Sequence, residues 1–188
     1  NNVVTVQVAE ALGAAKFYEY VARFGFGADT NIDLAGEVSG LVNVPGSLAW
    51  SQSDLGTNSF GQGIAVTPIQ MVSAVGAIAN EGKLMRPYVV QARVHGDAVL
   101  LTQPTLAQQV ISPASAQEMK EMMVHVVETG NRAAKVPGYL VGGKSGTADI
   151  ATAEGYVLDR TIASFVGFAP ADVPRFVMLV KLDKPDPE

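Results

Sequence analysis

Cysteine is absent from all 188 residues, so the chain has no disulfide staples and no thiolate-held metal, and its redox compartment stays open. Histidine is nearly absent as well. His95 and His125 stand in unrelated contexts with no carboxylate or second imidazole at ligand spacing, so no metal and no cofactor are expected, and neither ring has a partner for acid–base work. No apolar run approaches the roughly 18 residues that span a bilayer. A basic stripe is missing too: the formal charge is -5, which argues against a nucleic-acid partner. The sequence opens on Asn1-Asn2 rather than Met, shows no signal sequence and closes on Lys184-Pro-Asp-Pro-Glu188, the outline of a piece cut from something longer.

What is present is enough apolar material, 48% of the residues, for the core of about one domain. Val4, Val8, Ala11 and Leu12 recur at helical spacing until Gly13, and Phe17, Tyr20, Val21 and Phe24 mark a second amphipathic helix ending at Gly25. Residues 25–50 are rich in glycine, proline and asparagine without a period, so mostly loop is expected. Thr67-Pro68-Ile69-Gln70 predicts a buried helix start, with a capping threonine, a proline at the first helical position and a glutamine that reaches back. Ser112-Pro113 opens another helix, whose Met119, Met122, Met123, Val126 and Val127 form one expected core stripe. Leu84–Val94 and Ala98–Leu101 suggest a strand pair around His95-Gly96-Asp97. Three β-rich runs follow, Tyr139–Ala148, Thr161–Phe168 and Arg175–Leu182, and the uniformly apolar Phe176–Val180 predicts a strand covered on both faces. Helices first and a meander last indicate an α+β fold, an antiparallel sheet packed with helices.

One segment carries chemistry. Lys144-Ser145-Gly146-Thr147 places a cation, a hydroxyl, a bare backbone position and a second hydroxyl in a row at the end of an apolar run. Such a row can grip a carboxylate and supply a backbone donor to a developing oxyanion. Between Glu128 and Asp149 there is no acid, whereas Arg132, Lys135 and Lys144 fall inside, so an anion is the expected visitor. The same letters, Gly138 to Ser145, also satisfy the phosphate-loop pattern G-x-x-x-x-G-K-[ST]. That pattern requires a buried strand before its first glycine and a helix after Lys-Ser. Ala133–Pro137 is too short and broken for the strand, and Gly146 is a poor helix start, so an extended Lys-Ser-Gly-Thr row fits better, with room beside Gly146 for a peptide to pair as an added strand. Asp149 and Glu154, the nearest acids, have no paired spacing that argues for acid–base work. Trp50 is expected in packing or at the rim rather than in catalysis.

Five blocks give this row a context. Gly143–Ala148, Ser59-Phe-Gly-Gln-Gly-Ile-Ala-Val-Thr-Pro-Ile-Gln70, Ala79-Asn-Glu-Gly-Lys-Leu-Met-Arg-Pro87, Ile32–Gly40 and Ala163–Pro170 together resemble, in order and over residues 1–188, the transpeptidase domain of class B penicillin-binding proteins. Gly143-Lys-Ser-Gly is similar to the family's K-T-G element with Ser in the middle, and Asn2 takes the asparagine position of its S-x-N element. The S-x-x-K element that holds the nucleophile occurs nowhere in the sequence. The resemblance therefore implies the carboxyl-terminal part of one domain of serine β-lactamase/D,D-peptidase-like fold, an incomplete fragment that lacks the amino-terminal part of the same domain and is inactive alone.

It also implies a function. The parent enzyme's serine attacks the penultimate D-alanyl carbonyl of a peptidoglycan stem peptide, expels the last D-alanine and passes the acyl group to a neighbouring amine; β-lactams mimic the first step and stay attached. Lys144 would hold the positive potential that favours the substrate carboxylate, Ser145 and Thr147 would bond that carboxylate, and the Thr147 N–H would form part of the oxyanion hole. Gly146 would leave the backbone open to substrate, Asn2 would donate to the substrate amide, and Phe60 and Gln62 would line the cleft entrance. A parent anchored on the outer face of the cytoplasmic membrane is implied, the anchor lying in a segment absent here. A sensor that binds penicillin without turning it over would share these residues.

Overall fold

A computed structural model of the chain describes residues 2–152 and 155–185. The protein is α+β and divides into two compact units, Asn1–Ala77 with Lys83–Val110, and Ile78–Gly82 with Ile111–Glu188.

The first unit opens with α1 (Asn2–Leu12) and α2 (Ala14–Arg23). Gly13, at φ 82°, lets the chain leave one helix and begin the next, and its N–H closes α1 by donating to the Ala9 carbonyl at 2.9 Å. The residues turned inward differ from the expected stripes. Ala9 and Tyr18 are buried, Val4, Val8 and Leu12 are exposed, and the Tyr20 ring carries Lys16 and Arg23 over it. The physical reason is a third helix, α3 (Gln52–Ser59): its Leu55 joins Ala9 and Tyr18 in one buried cluster, and Phe17, Val21, Val42 and Trp50 pack around it. Packing, not stripe width, selects the inward face. Nothing in the apolar periodicity announces α3, but Ser51-x-x-Asp54 does: Asp54 Oδ2 accepts from the Ser51 N–H at 2.5 Å, the return arm of a capping box.

Residues 25–50 are mostly irregular, as expected, apart from β1 (Leu41–Val42), which pairs antiparallel with β2 (Ile64–Ala65). The predicted cap then starts α4 (Pro68–Ala79): the Thr67 N–H donates to Gln70 Oε1 at 2.9 Å and the Gln70 N–H donates to Thr67 Oγ1 at 3.3 Å. Ala74, Val75, Ala77 and Ile78 are buried. The expected single run over 84–94 is in fact two short strands. β3 (Lys83–Met85) pairs with β6 (Leu106–Gln109), whereas β4 (Ala92–His95) pairs with β5 (Ala98–Leu101) around the Gly96 turn. Pro87 has no N–H to give a ladder, and the N–H groups of Val89 and Val90 donate to Asp33 Oδ1 and Oδ2 at 2.7 and 2.8 Å, so the intervening donors serve a side chain instead.

The second unit contains α5 (Pro113–Thr129), capped by Ser112 Oγ accepting from the Ser115 N–H at 3.1 Å. Its buried residues are Ala116, Met123 and Val127, whereas Met119 and Met122 are exposed, so the expected methionine stripe splits between two faces. The helix packs against β7 (Gly142–Thr152), first strand of an antiparallel meander with β8 (Gly155–Ala169) and β9 (Phe176–Asp183), in spatial order β7-β8-β9. β9 is not covered on both faces. Phe176, Met178, Val180 and Leu182, two apart and therefore on one side of the strand, are each about half exposed.

Candidate active site

Lys144, Ser145, Gly146 and Thr147 lie consecutively on β7, all exposed, opposite Val166, Phe165, Ser164 and Ala163 of β8. The phosphate-loop pattern is thereby corrected: a strand, not a helix, runs through and beyond Ser145, and Gly138 sits in a turn where the Tyr139 N–H donates to the Val136 carbonyl at 3.0 Å. The glycines of the pattern have another use. A Cβ at Gly142 would stand 2.4 Å from Phe168 Cζ, and one at Gly143 would stand 2.3 Å from Phe165 Cζ. Two β8 rings thus close over bare backbone, which holds β7 flat against its neighbour immediately before Lys144.

Sheet order makes β7 an edge strand, and among the described residues no strand pairs with its outer side. An unpaired edge presents N–H and C=O groups that an extended peptide can take up. Lys144 Nζ donates to the Ser145 carbonyl at 2.7 Å and forms no ion pair among the described residues, whereas Lys135 pairs with Glu128. Among the described residues, then, no carboxylate offsets the Lys144 charge. Ser164 Oγ donates to the Gly146 carbonyl at 3.4 Å from the facing strand. Glu154 lies outside the described residues.

The structure brings Lys144 through Thr147 together on one strand; Asn2, Phe60 and Gln62 belong to the first unit. Asn2 opens α1, exposed, its carbonyl accepting from Thr5 Oγ1 at 2.8 Å. Phe60 and Gln62, both half-buried, lie in the turn that ends α3, with the Gln62 N–H donating to the Thr57 carbonyl at 3.0 Å. That turn is fixed from beneath. Buried Asn58 donates to the Gln62 carbonyl at 2.8 Å and accepts from the Tyr18 hydroxyl at 2.8 Å, and Trp50 Nε1 donates to Tyr18 at 2.9 Å. Gly63, at φ 82°, passes so close to Asn58 that a Cβ there would stand 2.6 Å from its side chain. Sequence reading missed this network because its members are 32 and 40 positions apart with no shared period.

The Ile32–Gly40 block, too, has a structural basis. Glu37 Oε1 accepts from Thr30 Oγ1 at 2.5 Å and from the Thr30 N–H at 2.7 Å, and its other oxygen accepts from the Asn31 N–H at 3.0 Å. The Thr30 hydroxyl bond, followed by these backbone donors, holds the Glu37 carboxyl below the usual carboxylate range; the Val89 and Val90 donors do the same for Asp33. Both acids are braces for the loop. No helix among the described residues is long and apolar enough to cross a membrane.

Comparison with known proteins gives one consistent result. The family model described as penicillin binding protein transpeptidase domain matches residues 1–188. Stage V sporulation protein D of Bacillus subtilis is 40% identical over 184 residues, which cover 96% of the chain and 28% of that protein. Penicillin-binding protein PbpB of Mycolicibacterium smegmatis is 36% identical over 98% of the chain and 30% of its own length. The chain thus spans less than a third of these curated relatives. Among solved structures, penicillin-binding protein 3 of Mycobacterium tuberculosis in complex with aztreonam superposes with a TM-score of 0.92 at 33% identity, over 98% of the chain and 43% of that structure.

Proposed function

The chain belongs to the penicillin-binding protein transpeptidase family, and from that membership we propose that it is the carboxyl-terminal part of one serine D,D-transpeptidase domain that cross-links peptidoglycan stem peptides outside the cytoplasmic membrane. The observation that carries this reading is the Lys144–Thr147 row, exposed on an edge strand whose outer side is unpaired among the described residues. An extended stem peptide adds along that edge, with Gly146 keeping the approach clear. Its terminal carboxylate meets the Lys144 ammonium and the Ser145 and Thr147 hydroxyls. The Thr147 N–H then faces the acyl oxygen as it becomes an oxyanion, an interaction of a kind whose loss costs about 3 kcal/mol of transition-state stabilisation. β-lactams enter by the same route because they present a carboxylate next to a strained acyl group; the Mycobacterium tuberculosis relative was solved with aztreonam and with ampicillin.

The nucleophile belongs to residues outside this sequence, since no Ser-x-x-Lys occurs in it. From the family resemblance we assign Asn2 to the substrate amide and Phe60 and Gln62 to the cleft entrance. In the complete enzyme, Lys144→Ala abolishes acylation by a fluorescent penicillin while leaving the thermal midpoint within a degree or two of wild type, as surface changes usually do. Wild-type acylation rates in that variant would remove the role assigned to the strand.

A further inference from the structure

The first unit contains a cleft that acyl transfer does not use. Its volume is about 290 Å3, and its walls include Asp33 of the 25–40 loop, Arg86 just past β3, Arg93 of β4, and Leu100 and Leu101 at the end of β5. Two guanidinium groups therefore share one concavity in a protein whose net charge is -5. Arg86 is oriented by a single bond, Nε donating to the Asn31 carbonyl at 2.7 Å, so its terminal nitrogens are uncommitted among the described residues. The Arg93 side chain forms no hydrogen bond or ion pair among them. Asp33, the acid in the wall, already accepts backbone donors on both oxygens; the Arg93 charge acts on it at a distance, without a hydrogen bond to it among the described residues.

Planar guanidinium donors with open positions are built to receive a planar anion. Size and charge decide which. Two arginines against one retained aspartate leave about one net positive charge, which a single carboxylate matches; a phosphate group, with up to about two negative charges, would be repelled by Asp33. A cavity of this volume sits at the small end of ligand pockets and accommodates two or three residues. Leu100, 68% exposed and directly across the β4–β5 ladder from Arg93, offers apolar surface on the same face as that guanidinium.

We propose that this cleft binds a short peptide segment of a partner protein in which an acidic residue is flanked by apolar ones, its carboxylate taken by Arg86 and Arg93 and an apolar side chain laid on Leu100. This interaction is independent of acyl transfer.

The test is an NMR titration of the whole chain with acetyl-Leu-Asp-Leu-amide, its Asn counterpart acetyl-Leu-Asn-Leu-amide, and inorganic phosphate. The Asp peptide gives saturable shifts at the amides of Arg86, Tyr88, Arg93 and residues 100–103. Affinity falls by about tenfold or more for the Asn peptide and for the double variant Arg86→Gln/Arg93→Gln, the size expected when charge-assisted hydrogen bonds are lost. Added sodium chloride weakens it further. Absence of saturable shifts, equal binding of the two peptides, wild-type affinity in the double variant, or tighter binding of phosphate than of the Asp peptide would each overturn the proposal. The peptide comparison needs no substitution, so it stands even where the double variant fails to fold.

Discussion

At Gln70 one side chain joins three parts of the first unit. Its carbonyl oxygen accepts from Thr67 to cap α4, while Nε2 donates to the Ala28 and Ser39 carbonyls, both at 2.8 Å, with only 1% of the residue exposed. The cap was legible in Thr-Pro-Ile-Gln because capping is local. The other two bonds were not, since they depend on where a loop without periodicity returns. Replacing the amide by an isosteric apolar group leaves the part-buried Ala28 and Ser39 carbonyls and the Thr67 N–H without this partner, each costing up to about 1–3 kcal/mol when left unpaired. Gln70→Leu is therefore expected to lower unfolding free energy by about 2–4 kcal/mol in a urea titration of the chain, with loss of amide-exchange protection concentrated in residues 25–40. An unchanged midpoint would show that water replaces the amide without cost, and the loop would need another anchor.

At the scale of elements, what was legible followed from local signals and what was not came from partners distant in sequence. α4 and α5 were found from Thr67-Pro68 and Ser112-Pro113, and the β7-β8-β9 meander from three β-rich runs, because caps, turns and period are written in adjacent residues. β3 with β6 was missed because a three-residue strand and its partner lie on either side of the intervening β4–β5 hairpin. The Lys-Ser-Gly-Thr row was read correctly as extended, yet the reason for Gly142 and Gly143 became visible only with Phe165 and Phe168 over them. The 25–40 loop, legible only as irregular, is held by two carboxylates, which gives it a pH dependence. Glu37 and Asp33 titrate below their ordinary values in the folded chain, so their stabilisation is fully present above the unfolded value of about 4 and is lost as pH falls through the lowered folded values. The thermal midpoint should stay level from neutral pH to about pH 5 and decline below about pH 4. In Glu37→Gln with Asp33→Asn the low-pH decline should be shallower, measured by calorimetry across the range. An equal decline in the double variant would assign acid sensitivity to other carboxylates.

For the molecule as a whole, the decisive fact is how much chemistry the 188 residues hold by themselves. They include a positive strand edge, exposed hydroxyls on Ser145 and Thr147, and an apolar face on β9 that nothing covers among the described residues. They do not include Ser-x-x-Lys, the arrangement that sets a lysine amine one helical turn from a hydroxyl so that it can take the proton. Lys144 does not substitute for it. Lys144 Nζ donates to the Ser145 carbonyl, and among the described residues no hydrogen bond joins it to the Ser145 hydroxyl. An unactivated serine is a poor nucleophile near neutral pH. Incubated with penicillin, the 188-residue chain should accordingly keep its mass under conditions that fully acylate the complete enzyme, while reversible binding at the β7 edge still shifts the amides of residues 142–148. A stoichiometric covalent adduct on the chain would show that the row contains its own nucleophile, and the division of the active site proposed above would then be wrong.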